Sequence, residues 1–279
     1  MAFLAHWVNG EAGAALAADD RGFAYGDGVF ETFRCHNGKI HNRALHRERL
    51  ERGLKVLGID CSRERVEQQL EQGLRWLREH DIAEAAGRLA VSRGSGQRGY
   101  RPRAAAPTLV LSLGEISPWR ESPAALEVVI CNCTMSRQPL LAGIKHCNRL
   151  EQVLAARELE SRDAPEGLLL NDRGELVCAV SSNIFVVSGG RLLTPPVKEC
   201  GVAGTVRRLL MDTLAPGLGL ACEETVLRPA DLEAAEELFL TNSIQGIRCV
   251  ARCEGLCFTS TEWGDNLRES FLAWSENSG

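Results

Sequence analysis

Residues 140–153 of the chain read LLAGIKHCNRLEQV. A single lysine, Lys145, stands there behind a flexible, apolar stretch and just ahead of a predicted helix. Burial of such a lysine would favour its neutral amine, which is the form that attacks an aldehyde. An ordinary solvated lysine ahead of a helix explains the same local pattern, so the segment alone leaves both interpretations open.

The composition limits the class of protein. The chain has 279 residues, of which 25% are charged and 44% hydrophobic, as in an ordinary soluble protein of one or two domains. The net charge is −5 and basic residues are scattered among acidic ones, so we expect no nucleic-acid partner. No apolar run approaches the ~20 residues of a membrane span, and the N-terminus lacks the pattern of a signal peptide. We therefore expect a cytoplasmic protein.

The eleven cysteines are a high and odd number. Most lie in apolar surroundings, as buried free thiols do, which fits a reducing compartment better than a disulfide framework. Cys249, Cys253 and Cys257 recur every four residues, but no CxxC pair or paired histidines accompany them. We therefore expect core packing here and no metal site.

Strands and helices are predicted in both halves of the chain, which indicates a two-domain α/β architecture. A proline- and serine-containing linker at 115–124 separates a domain at 1–114 from a domain at 125–279 that contains Lys145. The helix at 147–160 has an apolar face formed by Leu150, Val153, Leu154 and the stem of Arg157. Strands are predicted at 3–8, 28–35, 39–41, 87–92, 108–113, 126–131, 167–170, 175–178, 183–187, 191–193, 221–226, 237–241 and 247–251, and further helices at 43–57, at 63–80 and from 204.

Four further segments carry residues suited to anion binding or to tight turns. RGFAYGDGVFETFR at 21–34 is a glycine-rich turn entering a strand, and HRERL at 46–50 places arginines on a helix. GVAGTVR at 201–207 opens a helix, where backbone N–H groups and the Thr205 hydroxyl either bind an anion or simply cap the helix. SRGSGQRGY at 92–100 is either an exposed basic loop or a source of carboxylate contacts.

Together, in this order, these segments closely resemble those of the aminodeoxychorismate lyases over nearly the whole chain. These lyases are a branch of the fold-type IV pyridoxal-phosphate enzymes, which also contain branched-chain and D-amino acid aminotransferases. The resemblance implies a homodimer that binds pyridoxal 5′-phosphate (PLP) as a Schiff base on Lys145. It also implies that 4-amino-4-deoxychorismate is converted to p-aminobenzoate and pyruvate.

The resemblance assigns roles to individual residues. Those implied for cofactor binding, besides Lys145, are Arg49, Cys178, Asn183, Gly204, Thr205, Val206, Asn242 and Ser243. Those implied for substrate binding are Glu31, Thr32, Arg93, Arg98 and Tyr100.

One position departs from the family pattern. A glutamate five residues before the asparagine of Ser-Asn-Ile-Phe normally pairs with the pyridine nitrogen of the cofactor. Here the asparagine is Asn183 and the matching position is Cys178, while Glu175 lies three residues earlier. The substitution predicts a weaker electron sink, which favours a lyase over an aminotransferase. An aminotransferase and a non-catalytic PLP-binding paralogue remain alternatives.

Overall fold

The computed structural model describes residues 3–103, 105–119 and 125–277, and the chain divides into two compact units. One unit comprises the described residues of Met1–Glu121 together with Ile144–Asn148. The other comprises those of Ser122–Gly143 and Arg149–Ser278. Residues 120–124 of the predicted linker lie outside the described part of the chain.

The first unit is an antiparallel sheet with helices, in the strand order β2-β1-β6-β5-β3-β4. Helix α3 packs with the side chains predicted from its spacing, because Val66, Leu70, Leu74 and Leu77 are all buried. The strands are β1 (Phe3–Val8), β2 (Glu11–Ala12), β3 (Gly28–His36), β4 (Lys39–Ile40), β5 (Glu84–Ser92) and β6 (Thr108–Gly114), and the helices are α1 (Arg21–Tyr25), α2 (Arg43–Leu57) and α3 (Arg63–Glu79).

The second unit contains a mixed sheet in the order β12-β11-β10-β13-β14-β7-β8-β9, with β15 paired to β14. Its strands are β7 (Leu126–Met135), β8 (Glu166–Asn171), β9 (Leu176–Ala179), β10 (Asn183–Ser188), β11 (Arg191–Thr194), β12 (Cys222–Glu224), β13 (Glu237–Asn242), β14 (Gly246–Cys253) and β15 (Leu256–Cys257). Its α-helices are α4 (Leu150–Ser161), α5 (Thr205–Leu209), α6 (Ala215–Gly217) and α7 (Glu262–Asn277), with a π-helical turn at Leu210–Leu214 and a 3-10 helix at Pro229–Ala234.

Lys145 belongs to the first unit, although the sequence placed it in the C-terminal domain. The Phe30 N–H donates to the Lys145 carbonyl at 2.8 Å, and the Cys147 N–H donates to the Gly28 carbonyl at 2.9 Å. Residues around Lys145 thus pair antiparallel with the start of β3, on the edge whose far end pairs with β4. For the same reason α4 begins at Leu150 rather than at the predicted residue 147.

Helix α4 packs by a different face from the one that its apolar spacing predicted. Leu150, Val153 and Leu154 are 77%, 58% and 48% exposed, whereas Ala155 and Leu159 are buried. The buried pair packs in a cluster with residues of β7, β8 and β9. The more apolar stripe of the helix is therefore left on the surface, which a monomeric protein rarely does.

A buried ion pair fastens α2 to β3 in the first unit. The Arg49 guanidinium donates through Nε and Nη2 to the two carboxylate oxygens of Glu31, at 2.8 and 2.5 Å. His46 Nδ1 lies 2.6 Å from the second of these oxygens. Burial alone would raise the pKa of Glu31, but the charge and hydrogen bonds of Arg49, with those of His46, lower it to about 2.

We predict that Glu31→Gln lowers the free energy of unfolding by about 3–5 kcal/mol, because it leaves a buried guanidinium without its counter-charge. Urea denaturation at pH 7 measures this loss. The folded-state pKa of Glu31 is depressed, so its stabilisation is complete above the ordinary pKa of 4.5 and declines as the pH falls towards about 2.

Glu71→Gln is the matched control, because Glu71 also pairs with an arginine of α2, Arg43, but is half exposed. Its loss should stay below about 1 kcal/mol. Equal losses in the two variants would contradict the importance assigned to the buried pair.

Candidate active site

The Lys145 side chain is half-buried and lies over the ring of Phe30. Its Nζ is 4.5 Å from the centroid of that ring, close enough for a cation–π contact. The Asn148 side-chain amide donates to the Gly26 carbonyl at 3.1 Å, which ties the lysine segment to the glycine-rich turn. Gly26 has φ +65°, and a Cβ there would lie 2.6 Å from Asn148 Oδ1, so the turn requires glycine.

Side chains alternate between the two faces of β3, so Glu31 and Thr32, the two residues of β3 expected to line the substrate site, point to opposite faces. Thr32 stands opposite Arg88 of β5, and Phe30 is two residues away on the same face of the sheet. Thr32 therefore shares a face with the ring that contacts Lys145. Glu31 points to the opposite face, where both its oxygens are bound by Arg49 and His46, so its carboxylate faces α2 rather than that ring.

Arg88 was not predicted as a site residue, although it lies over the same ring as Lys145. Its Cζ is 4.0 Å from the centroid of Phe30. Arg88 is an exposed arginine in an otherwise apolar strand, and the pairing of β3 with β5 places it beside Thr32. Finding it required the strand register, which residue spacing alone does not supply.

Arg93 is a structural residue, which corrects its assignment to the substrate. The guanidinium donates to Asp27 through Nε and Nη2 and to the carbonyls of Leu57 and Gly58 at the end of α2. Burial alone would raise the pKa of Asp27, but Arg93 and Arg21 outweigh it and hold that pKa below its ordinary value. The Arg93 nitrogens are thus already committed within the first unit.

Arg98 and Tyr100 lie exposed on the loop between β5 and β6. The loop backbone is anchored by the glycine-rich turn, because Arg21 Nη1 donates to the Gly99 carbonyl and the Gly99 N–H donates to the Tyr25 hydroxyl. The Tyr25 and Tyr100 rings meet edge to face at 5.7 Å. The predicted loop residues therefore remain accessible to a ligand.

In the second unit, residues 201–204 lead directly into α5 and are held by hydrogen bonds from neighbouring segments. The Gly143 N–H donates to the Gly201 carbonyl, and the Asn183 side-chain amide donates to the Val202 carbonyl at 2.9 Å. Gly204 is the N-cap of α5, and a Cβ there would lie 2.1 Å from Asn183 Oδ1. The structure thus brings Asn183, Gly204, Thr205 and Val206 together, and their role in cofactor binding stays a prediction.

The end of β13 joins this group. Asn183 and Thr241 are cross-strand partners, so their side chains share a face of the sheet. The Asn242 side-chain amide donates through Nδ2 to the Ser182 hydroxyl at 3.0 Å, and its Oδ1 accepts from the backbone N–H groups of Ile244 and Gln245. This side chain shapes the turn that contains Ser243.

The donor set of this corner fits an anion such as phosphate. Backbone N–H groups at the start of α5, where Thr205 and Val206 stand, are natural phosphate ligands. Thr241 Oγ1 is buried and has no hydrogen-bond partner among the described residues, so a polar group remains to be satisfied there. Glycine at 204 keeps a side chain out of the same space.

Cys178 occupies the position where the family pattern has glutamate. It is buried in a cluster with Met135 and other apolar residues, and its Sγ lies 3.4 Å from Met135 Sδ. Glu175 cannot substitute for it, because its carboxylate accepts from Asn171 and Arg228. No group of three metal-ligating side chains occurs among the described residues, nor does any helix long and apolar enough to span a membrane.

The chain matches known proteins over most of its length. The family model described as amino-transferase class IV matches residues 28–253. Aminodeoxychorismate lyase of Vibrio harveyi is 32% identical over 253 residues, 88% of this chain and 90% of that protein. A putative branched-chain-amino-acid aminotransferase of Methanocaldococcus jannaschii is 31% identical over 265 residues, 94% of this chain and 91% of that protein.

Solved structures share the fold of this chain. The 4-amino-4-deoxychorismate lyase of Pseudomonas aeruginosa superposes with a TM-score of 0.88 at 35% identity, covering 96% of this chain and 98% of that one. The Escherichia coli branched-chain amino acid aminotransferase, at 21% identity, shares the fold with a TM-score of 0.86 over 97% and 94% of the two chains. The predicted α/β fold and the resemblance are thereby confirmed, and the chain belongs to the class IV aminotransferase family.

Proposed function

We propose that this protein is a PLP-dependent lyase that converts 4-amino-4-deoxychorismate to p-aminobenzoate and pyruvate, a step of folate biosynthesis. The observation that carries the proposal is the half-buried Lys145 over Phe30, in a chain whose 35% identical structural relative is 4-amino-4-deoxychorismate lyase. A lysine partly removed from water, beside an aromatic ring, suits covalent chemistry with an aldehyde.

We assign the cofactor to Lys145, which would hold it through Nζ. The phosphate is assigned to the start of α5, at Gly204, Thr205 and Val206, and to the Asn242–Ser243 turn. Arg49 is assigned to the phosphate as well, with its guanidinium held in orientation by Glu31. Asn183 positions the Gly204 backbone through Val202.

The residues of the chain account for the proton movements of the reaction. Bound PLP supplies an electron sink for the charge that develops when the ring C4 proton leaves. Lys145 Nζ takes that proton and returns it to the departing enolpyruvyl group as the C–O bond breaks, which gives pyruvate. Aromatisation of the ring drives the elimination. Thr32, Arg98 and Tyr100 are assigned to the substrate.

Release of p-aminobenzoate from enzymatically generated 4-amino-4-deoxychorismate tests the function directly. The PLP-loaded wild-type protein should release it, and Lys145→Ala should release none beyond the uncatalysed rate, because the proton carrier is lost. Chromatography with fluorescence detection measures the product. No release by a wild-type protein that binds PLP would overturn the proposal, and activity with an amino donor would then identify an aminotransferase.

Cys178 favours the lyase over the aminotransferase. A carboxylate beside the pyridine nitrogen keeps that nitrogen protonated and strengthens the electron sink, whereas a thiol in apolar surroundings does not. Transamination depends on a well-stabilised carbanion. The lyase has a separate driving force in the formation of an aromatic ring, so it tolerates the weaker sink.

Cys178→Glu should therefore accelerate conversion of the bound cofactor to its pyridoxamine form by an amino donor, by about tenfold, which corresponds to about 1.4 kcal/mol. The absorption spectrum of the cofactor reports the conversion. Cys178→Ser, which also lacks a carboxylate, should react like the wild type. An unchanged spectrum and rate in a Cys178→Glu protein that still binds PLP would refute the electron-sink argument.

We propose that the protein is a cytoplasmic homodimer. The exposed apolar stripe of α4, formed by Leu150, Val153 and Leu154, supports a subunit interface, because a contiguous apolar surface is unfavourable in water. The cysteines of the described residues are all free thiols, which supports a reducing compartment. Light scattering of the purified protein tests the dimer.

A further inference from the structure

The loop between β5 and β6, residues 93–107, is held by side chains of α1. Loops longer than about 12–15 residues are uncommon in compact domains and are usually functional or disordered. Among the described residues, every hydrogen bond to residues 97–103 is made by Arg21 or Tyr25 of α1. This part of the loop therefore takes its position from α1.

Arg21 makes the central contact, because its guanidinium joins the loop to a largely buried carboxylate. The residue is 4% exposed. Its Nε donates to Asp27 Oδ2 at 2.8 Å, its Nη1 donates to the Gly99 carbonyl at 2.8 Å, and its Nη2 lies 3.4 Å from the Tyr100 carbonyl. The stem faces Gly96, where a Cβ would lie 3.0 Å from Arg21 Cδ. One rigid planar group thus fixes two loop carbonyls relative to the start of β3.

Asp27 balances the charge of this buried guanidinium, which would otherwise be costly to remove from water. The same carboxylate accepts from Arg93 Nε and Nη2. The remaining hydrogen bonds of Arg93 go to the carbonyls of Leu57 and Gly58 at the end of α2, not to the loop. Arg21 and Arg93 therefore share one partner but hold different segments of the chain.

We propose that Arg21 is a positioning residue for substrate binding, an inference that rests on the proposed function. Arg98 and Tyr100 are the loop residues assigned to the substrate, and the Gly99 carbonyl that Arg21 holds lies between them in the chain. Ordering their main chain before the substrate arrives removes the entropic cost of ordering it during binding. Arg21 acts only through this main chain, because its own donors are used by Asp27 and the loop carbonyls.

The effect of Arg21 falls on binding rather than on the chemical step. The proton transfers are assigned to Lys145, whereas the loop residues hold the substrate in the ground state and in the transition state alike. Loss of such uniform binding raises KM and leaves kcat unchanged. A residue that only supported the fold would instead reduce the amount of active protein, which lowers kcat and leaves KM unchanged.

Arg21→Met tests the inference against Arg93→Met, which removes the same charge from the same carboxylate without touching the loop. Limited trypsin digestion of the PLP-loaded proteins reports the order of the loop, because cleavage after Arg98 requires release of the Gly99 main chain. Arg21→Met should accelerate this cleavage about tenfold, and Arg93→Met less than about twofold. Mass spectrometry of the fragments measures both rates.

The kinetics of p-aminobenzoate release provide the second readout. Arg21→Met should raise KM about tenfold with kcat within about twofold of wild type, whereas Arg93→Met should leave both constants unchanged. Tyr25→Phe removes only the hydroxyl that accepts from the Gly99 N–H at 2.9 Å, so it should raise KM and the cleavage rate about threefold. Circular dichroism confirms that each variant is folded, and Tyr25→Phe carries the test if Arg21→Met does not fold.

Equal effects of Arg21→Met and Arg93→Met would overturn the inference, as would a wild-type KM in a variant whose loop is cleaved faster. A fall in kcat at unchanged KM would also overturn it. The proposed function fails separately. A wild-type protein that releases no p-aminobenzoate loses the function, whereas the cleavage rates still decide whether Arg21 orders the loop.

Discussion

The antiparallel pairing between β3 and the segment around Lys145 is the constraint on which the candidate site depends. Its two backbone hydrogen bonds, at 2.8 and 2.9 Å, fix the lysine against the edge of a sheet to which it is distant in sequence. Backbone pairing of this kind fixes the position and direction of the main chain at Lys145. The pairing thereby brings the Lys145 side chain within reach of the Phe30 ring, where its Nζ lies 4.5 Å from the centroid.

The two faces of β3 contact different parts of the first unit. One face turns Glu31 towards α2, where a buried and fully hydrogen-bonded ion pair holds the helix. The other face presents Phe30 and Thr32, with Arg88 of the neighbouring strand and Lys145 over the same ring. Because alternate side chains point to opposite faces, consecutive residues 30–32 serve both structure and chemistry.

The sequence predicted the main elements well, since most strands and helices begin and end within a few residues of the structure. The residues that the resemblance assigned to the cofactor around Gly204 lie close together in the second unit, and their role stays a prediction. It failed where long-range pairing decides the outcome. Lys145 joined the other unit through an edge pairing that local spacing does not encode, and the more apolar stripe of α4 is exposed rather than buried.

Arg93 and Arg88 show that local sequence also fails to predict the partners of a single side chain. Arg93 stood in a motif suited to anion binding, yet Asp27 and two helix-terminal carbonyls occupy its donors. Arg88 stood in an ordinary strand, yet the strand register places it over the same Phe30 ring as Lys145. The partners of a guanidinium decide whether it is available to a ligand. These partners are set by the tertiary structure rather than by the local sequence.

Borohydride reduction of the PLP-loaded protein, followed by peptide mass spectrometry, tests the central claim that Lys145 carries the cofactor. The chain has only four lysines, at positions 39, 55, 145 and 198, so the modified residue can be assigned without ambiguity. We expect one phosphopyridoxyl group per chain, on the peptide that contains Lys145. Modification of another lysine, or of none in a protein that binds PLP, would contradict it.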